Sequence, residues 1–270
     1  MRALHRQADR RRRPAQWTLG RAVQDGVRAA RIVNAGVGTL VLTAHGSADP
    51  RSAATARAIV ACIGRLRPGL DARVAFCEQN EPNLADVLTT VGRGAVVVPL
   101  LLADAYHARV DIPAMIAESG SDARRAAVLG EDDRLIHVLR QRLEHAGVSR
   151  LDPDVGVLVT AVGSSHAQAN ARTATVAREL TLTTRWTATT AFATGPAPSL
   201  ADAAAVLRDR GASRLVIAPW FLAPGRITDR VAEFARAQGM SMSAPLGAHR
   251  QVAETVLDRY DAALIARAAA

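Results

Sequence analysis

Three side chains with chemistry to offer, His45, Glu78 and His107, each follow a run of apolar, β-leaning residues: 39–44, 72–77 and 94–102. A continuous apolar run closed by turn residues suits a parallel strand covered on both faces, and open α/β sheets gather ligands beyond the carboxyl ends of such strands. Two imidazoles and a carboxylate on one rim suit a borderline divalent metal such as Co, Fe, Ni or Zn. Neutral imidazoles also accept protons near neutral pH. The expectation is that His45 and His107 hold a metal, facing one another across a shared pocket, with Glu78 beside them.

The chain repeats itself, and the repeat sharpens this choice. Leu40-Val41-Leu42-Thr43-Ala44-His45-Gly46-Ser47 returns as Val157-Leu158-Val159-Thr160-Ala161-Val162-Gly163-Ser164 within the second half. Pro82-Asn83-Leu84-Ala85-Asp86 returns as Pro198-Ser199-Leu200-Ala201-Asp202, and Leu129-Gly130 as Leu246-Gly247. The register stays near 116 to 120 residues, too long for a solenoid unit and of the size of a domain. In the second copy His45 is answered by Val162, Glu78 by Thr194 and His107 by Ile227, whereas the small, proline and apolar positions around them persist. A fold needs its turns and apolar faces in both copies but has no structural need of an imidazole at an exposed strand end. Chemistry is therefore expected in the first copy alone.

These residues must be carried by alternating strands and helices. The first half reads strand 39–44, helix 51–66, strand 72–77, helix 82–90 and strand 94–98, then a helix opening at Asp111-Ile112-Pro113 and another over 132–146. Leu151-Asp152-Pro153-Asp154 reads as a linker. The second half follows with strand 155–161, helix 166–180, strand 185–191, helix 199–210, strand 213–218, helix 227–238 and a last helix from 249. Alternation of this kind implies parallel sheets with right-handed crossovers. The expected architecture is α/β: two tandem duplicated domains, 37–150 and 151–270, each a small parallel sheet flanked by helices.

Composition limits the partners. Of the net +9, residues 1–36 carry +7, from nine Arg against Asp9 and Asp25, and every basic residue of the chain is Arg. Residues 1–36 read as a solvated, disordered arm before they read as a nucleic-acid contact. No apolar run of about 18 residues is present and the basic start lacks a following apolar segment, so a cytoplasmic protein without membrane spans is expected. Cys62 and Cys77 form no Cys-x-x-Cys and read as core residues. No Walker or Gly-x-Gly-x-x-Gly pattern follows the first strand, and Gly46-Ser47 lacks the spacing of a nucleophile elbow.

Ala44-His45-Gly46-Ser47 with Asp49-Pro50-Arg51, Phe76-x-Glu78 with Pro82, Val98-Pro99-Leu100 leading to His107, and Asp111-Ile112-Pro113 together resemble the sirohydrochlorin chelatases. These are class II tetrapyrrole chelatases of the cobaltochelatase and ferrochelatase type, here in a long, two-domain form. The resemblance spans about residues 37–265 and implies a chelatase-like fold and insertion of Co²⁺ or Fe²⁺ into sirohydrochlorin, on the way to cobalamin or sirohaem. It implies that His45 and His107 bind the metal and accept protons, that Glu78 is the acid beside them, and that no permanent cofactor is needed. Where the family has a Pro-Gly-Gly-like turn before its second histidine, this chain has Asp104-Ala105-Tyr106; Pro224-Gly225 survives only in the second half.

Sirohydrochlorin carries eight carboxylates, so a cleft for it needs cationic or N–H-rich walls. Ser47, Arg51, Arg109 and Arg226 on rim-facing loops and helix starts, with Arg230, are the candidates for contacting it. An internally paired chain is expected to act as a monomer. Two other readings predict different behaviour: a non-catalytic metal or tetrapyrrole carrier that binds without turnover, and a nucleic-acid-associated factor whose activity depends on the arm.

Overall fold

The computed structural model of the protein describes residues 38–268; the Arg-rich arm and its expected disorder lie outside the described residues. The first half contains β1 (Leu40–Ala44), α1 (Pro50–Leu66), β2 (Ala72–Phe76), α2 (Leu84–Thr90), β3 (Val96–Pro99), a π-helical turn (His107–Asp111), α3 (Ile112–Glu118), β4 (Arg124–Arg125) and α4 (Asp133–His145). The second half contains β5 (Val155–Ala161), α5 (Ala167–Leu182), β6 (Thr187–Phe192), α6 (Leu200–Asp209), β7 (Arg214–Pro219), α7 (Arg226–Ala237), β8 (Ser241–Met242) and α8 (Arg250–Ala268). Each half forms a four-stranded parallel sheet, in the orders β2-β1-β3-β4 and β6-β5-β7-β8. The same topology drawn twice is the structural face of the sequence repeat.

Two short strands escaped the sequence reading. β4 and β8 are two-residue edge strands, and β4 is an exposed Arg pair, so neither carries an apolar pattern to announce it. The expected helix at Asp111 also begins earlier. Helical backbone is already present at Tyr106, and the Ile112 N–H bonds the His107 carbonyl, an i to i+5 bond. Pro113 sits in the first turn of α3 as expected, but Asp111 there is helical and caps nothing.

The period-two alternation along each central strand sorts side chains into layers. From β1, Leu40 and Leu42 enter a central core that also takes Val157 and Val159 of β5, with Ile59 and Ile63 of α1, Leu139 and Leu143 of α4, Val176 and Leu180 of α5, and Val252, Val256 and Tyr260 of α8. Val41 points the other way, onto Leu84, Leu88 and Ile112. Leu158 does likewise onto Ala203, Leu207 and Val231.

The last helix of each half crosses to the other. α8 packs on β3 and α1, while α4 packs on β7 and α5. Matching bonds fix the exchange at equivalent positions. Arg259 of α8 donates to the carbonyls of Val128 (3.0 Å) and Leu129 (2.8 Å), and Arg142 of α4 donates to the Leu246 carbonyl (2.8 Å). Arg67 at the end of α1 grips Asp261 with two bonds of 2.6 Å, and the Tyr260 hydroxyl donates to the Gly38 carbonyl at the foot of β1. The two sheets therefore share one central core.

Candidate active site

β1 is buried along its whole length and delivers His45 to the carboxyl edge of the first sheet. The backbone there is locked against the end of β2: the Cys77 N–H bonds the Ala44 carbonyl and the Glu78 N–H bonds the His45 carbonyl, both at 3.0 Å. Gly46 takes a left-handed φ of 103°, and a Cβ on it would lie 1.8 Å from the Glu78 carbonyl oxygen. Asn80 closes the loop by accepting the Ser47 N–H at 2.8 Å. Gly46→Ala is thus both strained and clashing, and should destabilise the fold by about 2 kcal/mol or more while displacing His45 from Glu78. Chemical denaturation reads the first effect; a loss under about 0.5 kcal/mol would show that the strand end yields freely.

His107 arrives from the neighbouring strand. The chain leaves β3, turns through 100–106 and enters the π-helical turn, which sets His107 and Asp111 on the same side. Their side chains meet at 2.6 Å, His107 Nδ1 to Asp111 Oδ2. Among the described residues no ion pair or hydrogen bond engages Nε2 of His107. His45 Nε2 lies 3.2 Å from Glu78 Oε1, and its Nδ1 is buried without a hydrogen-bond partner.

The two imidazoles stack, with ring centroids 3.9 Å apart and planes inclined by 29°. They stand side by side on one wall and do not face each other across the pocket as expected. The reason is the sheet order: β1 and β3 are adjacent, so residues beyond their ends are lateral neighbours. Burial, and next the neighbouring His107, hold the His45 pKa below its ordinary 6.5, against the pull of Glu78 and Asp111. The balance favours the neutral imidazole. Burial, with Asp111 and Glu78, pushes the Cys77 thiol up to about 11, so it stays protonated and is no thiolate ligand. Both cysteines are free; Cys62 is buried in the core as expected, whereas Cys77, beyond the end of β2, is only partly buried. Among the described residues no three of His, Cys, Asp and Glu converge as a metal cage. The imidazole pair is an open site.

The pair lines a cavity of about 580 Å³ whose remaining wall comes largely from the second half, including Val162, Phe221, Leu222 and Ile227. A second lobe of about 410 Å³ shares Val162, Phe221 and Ile227 with it and adds Ser47, Ser52 and Arg226. Val162 and Ile227, the residues that replace the two histidines in the repeat, therefore border the same space as the histidines themselves.

The candidate substrate contacts divide. Ser47 and Arg226 line the second lobe, although the Ser47 hydroxyl oxygen also accepts the Asp49 N–H at 3.1 Å. Arg51 is held in a fork between Asp49 and Asp229, 2.5 Å from an oxygen of each, and this contact draws the Asp49 carboxyl down to about 2. Arg109 turns to Asp104 at 3.0 Å and lines a separate depression of about 30 Å³ with Glu131 and Arg172. Arg230 borders a different surface hollow beside Phe234. Asp111 was missed as a partner of His107 because its position before Ile112-Pro113 reads as a helix cap. The i, i+4 spacing of His107 and Asp111 was the available signal.

Both halves match the family model described as CbiX, over residues 39–146 and 156–263. A sirohydrochlorin cobaltochelatase of Priestia megaterium is 27% identical over 214 residues, covering 73% of this chain and 68% of that protein. Another of that name from Sulfolobus acidocaldarius is 38% identical over 77 residues, covering 26% of this chain and 63% of its own. Among solved structures, that described as SirB from Bacillus subtilis with Fe3+ superposes with a TM-score of 0.72 at 21% identity, over 83% of this chain and 94% of that one. With the family model matched twice, across both sheets and the rim that carries the paired imidazoles, the chain belongs to the CbiX family.

Proposed function

We propose that the protein inserts a divalent metal, Co²⁺ or Fe²⁺, into sirohydrochlorin, with the chemistry supplied by the first half, 37–150, and an apolar wall supplied by the second, 151–270. The observation that carries this is the stacked His45–His107 pair on the wall of a cavity whose other lining includes their apolar counterparts Val162 and Ile227. The relatives named for sirohydrochlorin cobaltochelatase activity support the same substrate.

Insertion exchanges two pyrrole protons for one M²⁺, so the site must hold the ion near one face of the macrocycle and accept two protons. The Nε2 of His107 is free to ligate because Asp111 occupies Nδ1. His45, kept neutral by burial, takes the two pyrrole protons one after the other, and Glu78 at 3.2 Å passes each to solvent before the next is taken. With the imidazole of His107 as its ligand, the site holds a divalent ion less tightly than the four-ligand cages of resident metals. It suits an ion that is to be handed on, and the metal is substrate, not cofactor.

Since the His45 pKa is lowered, metal insertion should hold its rate down to about pH 6.5 and fall below it as the imidazole charges. The sign for stability is the same: the contribution of neutral His45 is complete above the unfolded value and is lost as pH falls through the folded one. Glu78 raises this pKa, so Glu78→Gln should move the acid limb to lower pH. A limb that moves upward would remove Glu78 from contact with the base.

The deciding experiment is an absorbance assay with sirohydrochlorin and Co²⁺ in excess over protein. Turnover well beyond one equivalent is expected, whereas a carrier stops at one. We further take the protein to be a cytoplasmic monomer that binds neither membrane nor nucleic acid. Among the described residues no helix is long and apolar enough to cross a membrane, and one chain already brings both cavity walls. Deleting residues 1–36 should leave turnover intact.

A further inference from the structure

The cavity is built by a pseudo-twofold fold but is chemically lopsided at one matched pair of positions. Ala103-Asp104-Ala105-Tyr106-His107 in the first half aligns with Ala223-Pro224-Gly225-Arg226-Ile227 in the second. Next to the imidazole stands a phenol; next to its apolar counterpart stands a guanidinium. Tyr106 lines the larger lobe and Arg226 the smaller, and the two lobes meet at Val162, Phe221 and Ile227.

Both side chains are presented rather than consumed. Tyr106 is 55% exposed, unusual for an aromatic ring in a cavity wall. Its backbone is fixed all the same: it is helical, the Arg109 N–H bonds the Ala105 carbonyl at 3.1 Å, and the Asp104–Arg109 pair at 3.0 Å braces the loop. Arg226, the first residue of α7, is in no ion pair among the described residues. It is also the sole guanidinium among the described residues that line the two lobes. The nearby Asp49 is already committed to Arg51.

The angle of the Tyr106 ring matters. For an imidazole nitrogen to reach the centre of a flat macrocycle along its normal, the imidazole plane must stand perpendicular to the macrocycle. The Tyr106 ring lies 6.1 Å from that of His107 at 87° to it, an orientation that includes the plane of the macrocycle. A ring so held offers its face for stacking, and an unpaired guanidinium at the matched position offers a fork to a carboxylate.

We propose, resting on the chelatase function above, that Tyr106 and Arg226 are the specificity-determining contacts that orient the substrate: Tyr106 stacks on the tetrapyrrole plane beside His107, and Arg226 takes a peripheral carboxylate at the pseudo-equivalent position. Placing a ring at one position and a charge at the other removes the twofold ambiguity of the cleft and fixes the in-plane register of a polycarboxylate macrocycle.

The test is titration of metal-free sirohydrochlorin into wild type and variants, followed by absorbance, with kcat and KM for Co²⁺ insertion measured alongside. Tyr106→Leu, which keeps helical bulk but removes the ring, should weaken Kd and raise KM by about 5- to 20-fold with the loss absent from kcat, and Tyr106→Phe should recover most of it. Arg226→Ala should weaken Kd by about tenfold and flatten its dependence on NaCl concentration, with partial recovery in Arg226→Lys. The proposal is overturned if Tyr106→Leu binds within twofold of wild type, if its loss falls on kcat alone, or if Arg226→Ala keeps the full salt dependence. Failure of the wild type to bind sirohydrochlorin at all overturns the chelatase function with it; equal binding by wild type and variants overturns the orienting contacts alone.

Discussion

Replacing His45 and His107 together with alanine should reduce metal insertion into sirohydrochlorin by about 10³-fold or more, since each imidazole carries ligation or proton transfer, steps worth about 10²–10⁴ apiece. The effects of the two should be far from additive, because the rings touch and serve one ion. Stability should barely change. The His45 and His107 side chains are 35% and 45% exposed, and the strand end is held by backbone bonds that alanine retains. A melting temperature within about 3 °C of wild type, alongside lost turnover, separates chemistry from folding. Single replacements divide the roles: His107→Ala should lose metal affinity, whereas His45→Ala should lose rate at saturating metal.

Tyr260→Ala should destabilise the protein by about 4 kcal/mol, the range for removing a fully buried aromatic ring. Tyr260 is 1% exposed, and its hydroxyl bonds the Gly38 carbonyl at the foot of the strand that delivers His45. Residue 260 belongs to the second repeat in sequence but packs in the shared core against the first sheet. Hydrogen exchange should therefore show the loss of protection in the amides of β1 and β3 as well as in α8. A cost under about 1.5 kcal/mol by urea unfolding, or a loss confined to the second sheet, would mean that the helix exchange does not hold the halves together.

The six longer strands were legible because their signal is local. Val155–Ala161 reads directly from its apolar run, and the turn at Gly46 from the break that ends one. The helix exchange was not, since α4 and α8 have the same apolar faces whichever sheet they cover. At the site, the loss of His45 and His107 in the second repeat singled out two residues that the structure brings together. Their stacking on one wall depended on strand order, which no residue encodes by itself. The arginines show the limit most plainly. Arg51, Arg109 and Arg226 look alike as rim cations, but Asp229, distant in sequence, claims the first and Asp104 the second, leaving Arg226 facing the second lobe. Pairing, across the fold for Arg51 and within one loop for Arg109, decides which charge is free.

The most direct test of the central claim is an anomalous-scattering map of crystals soaked in Co²⁺ without tetrapyrrole. The account predicts one peak at the His45–His107 pair, about 2.1 Å from Nε2 of His107. A peak elsewhere in the cavity with these imidazoles unliganded, or cobalt bound only at other histidines such as His137 or His249, would contradict it.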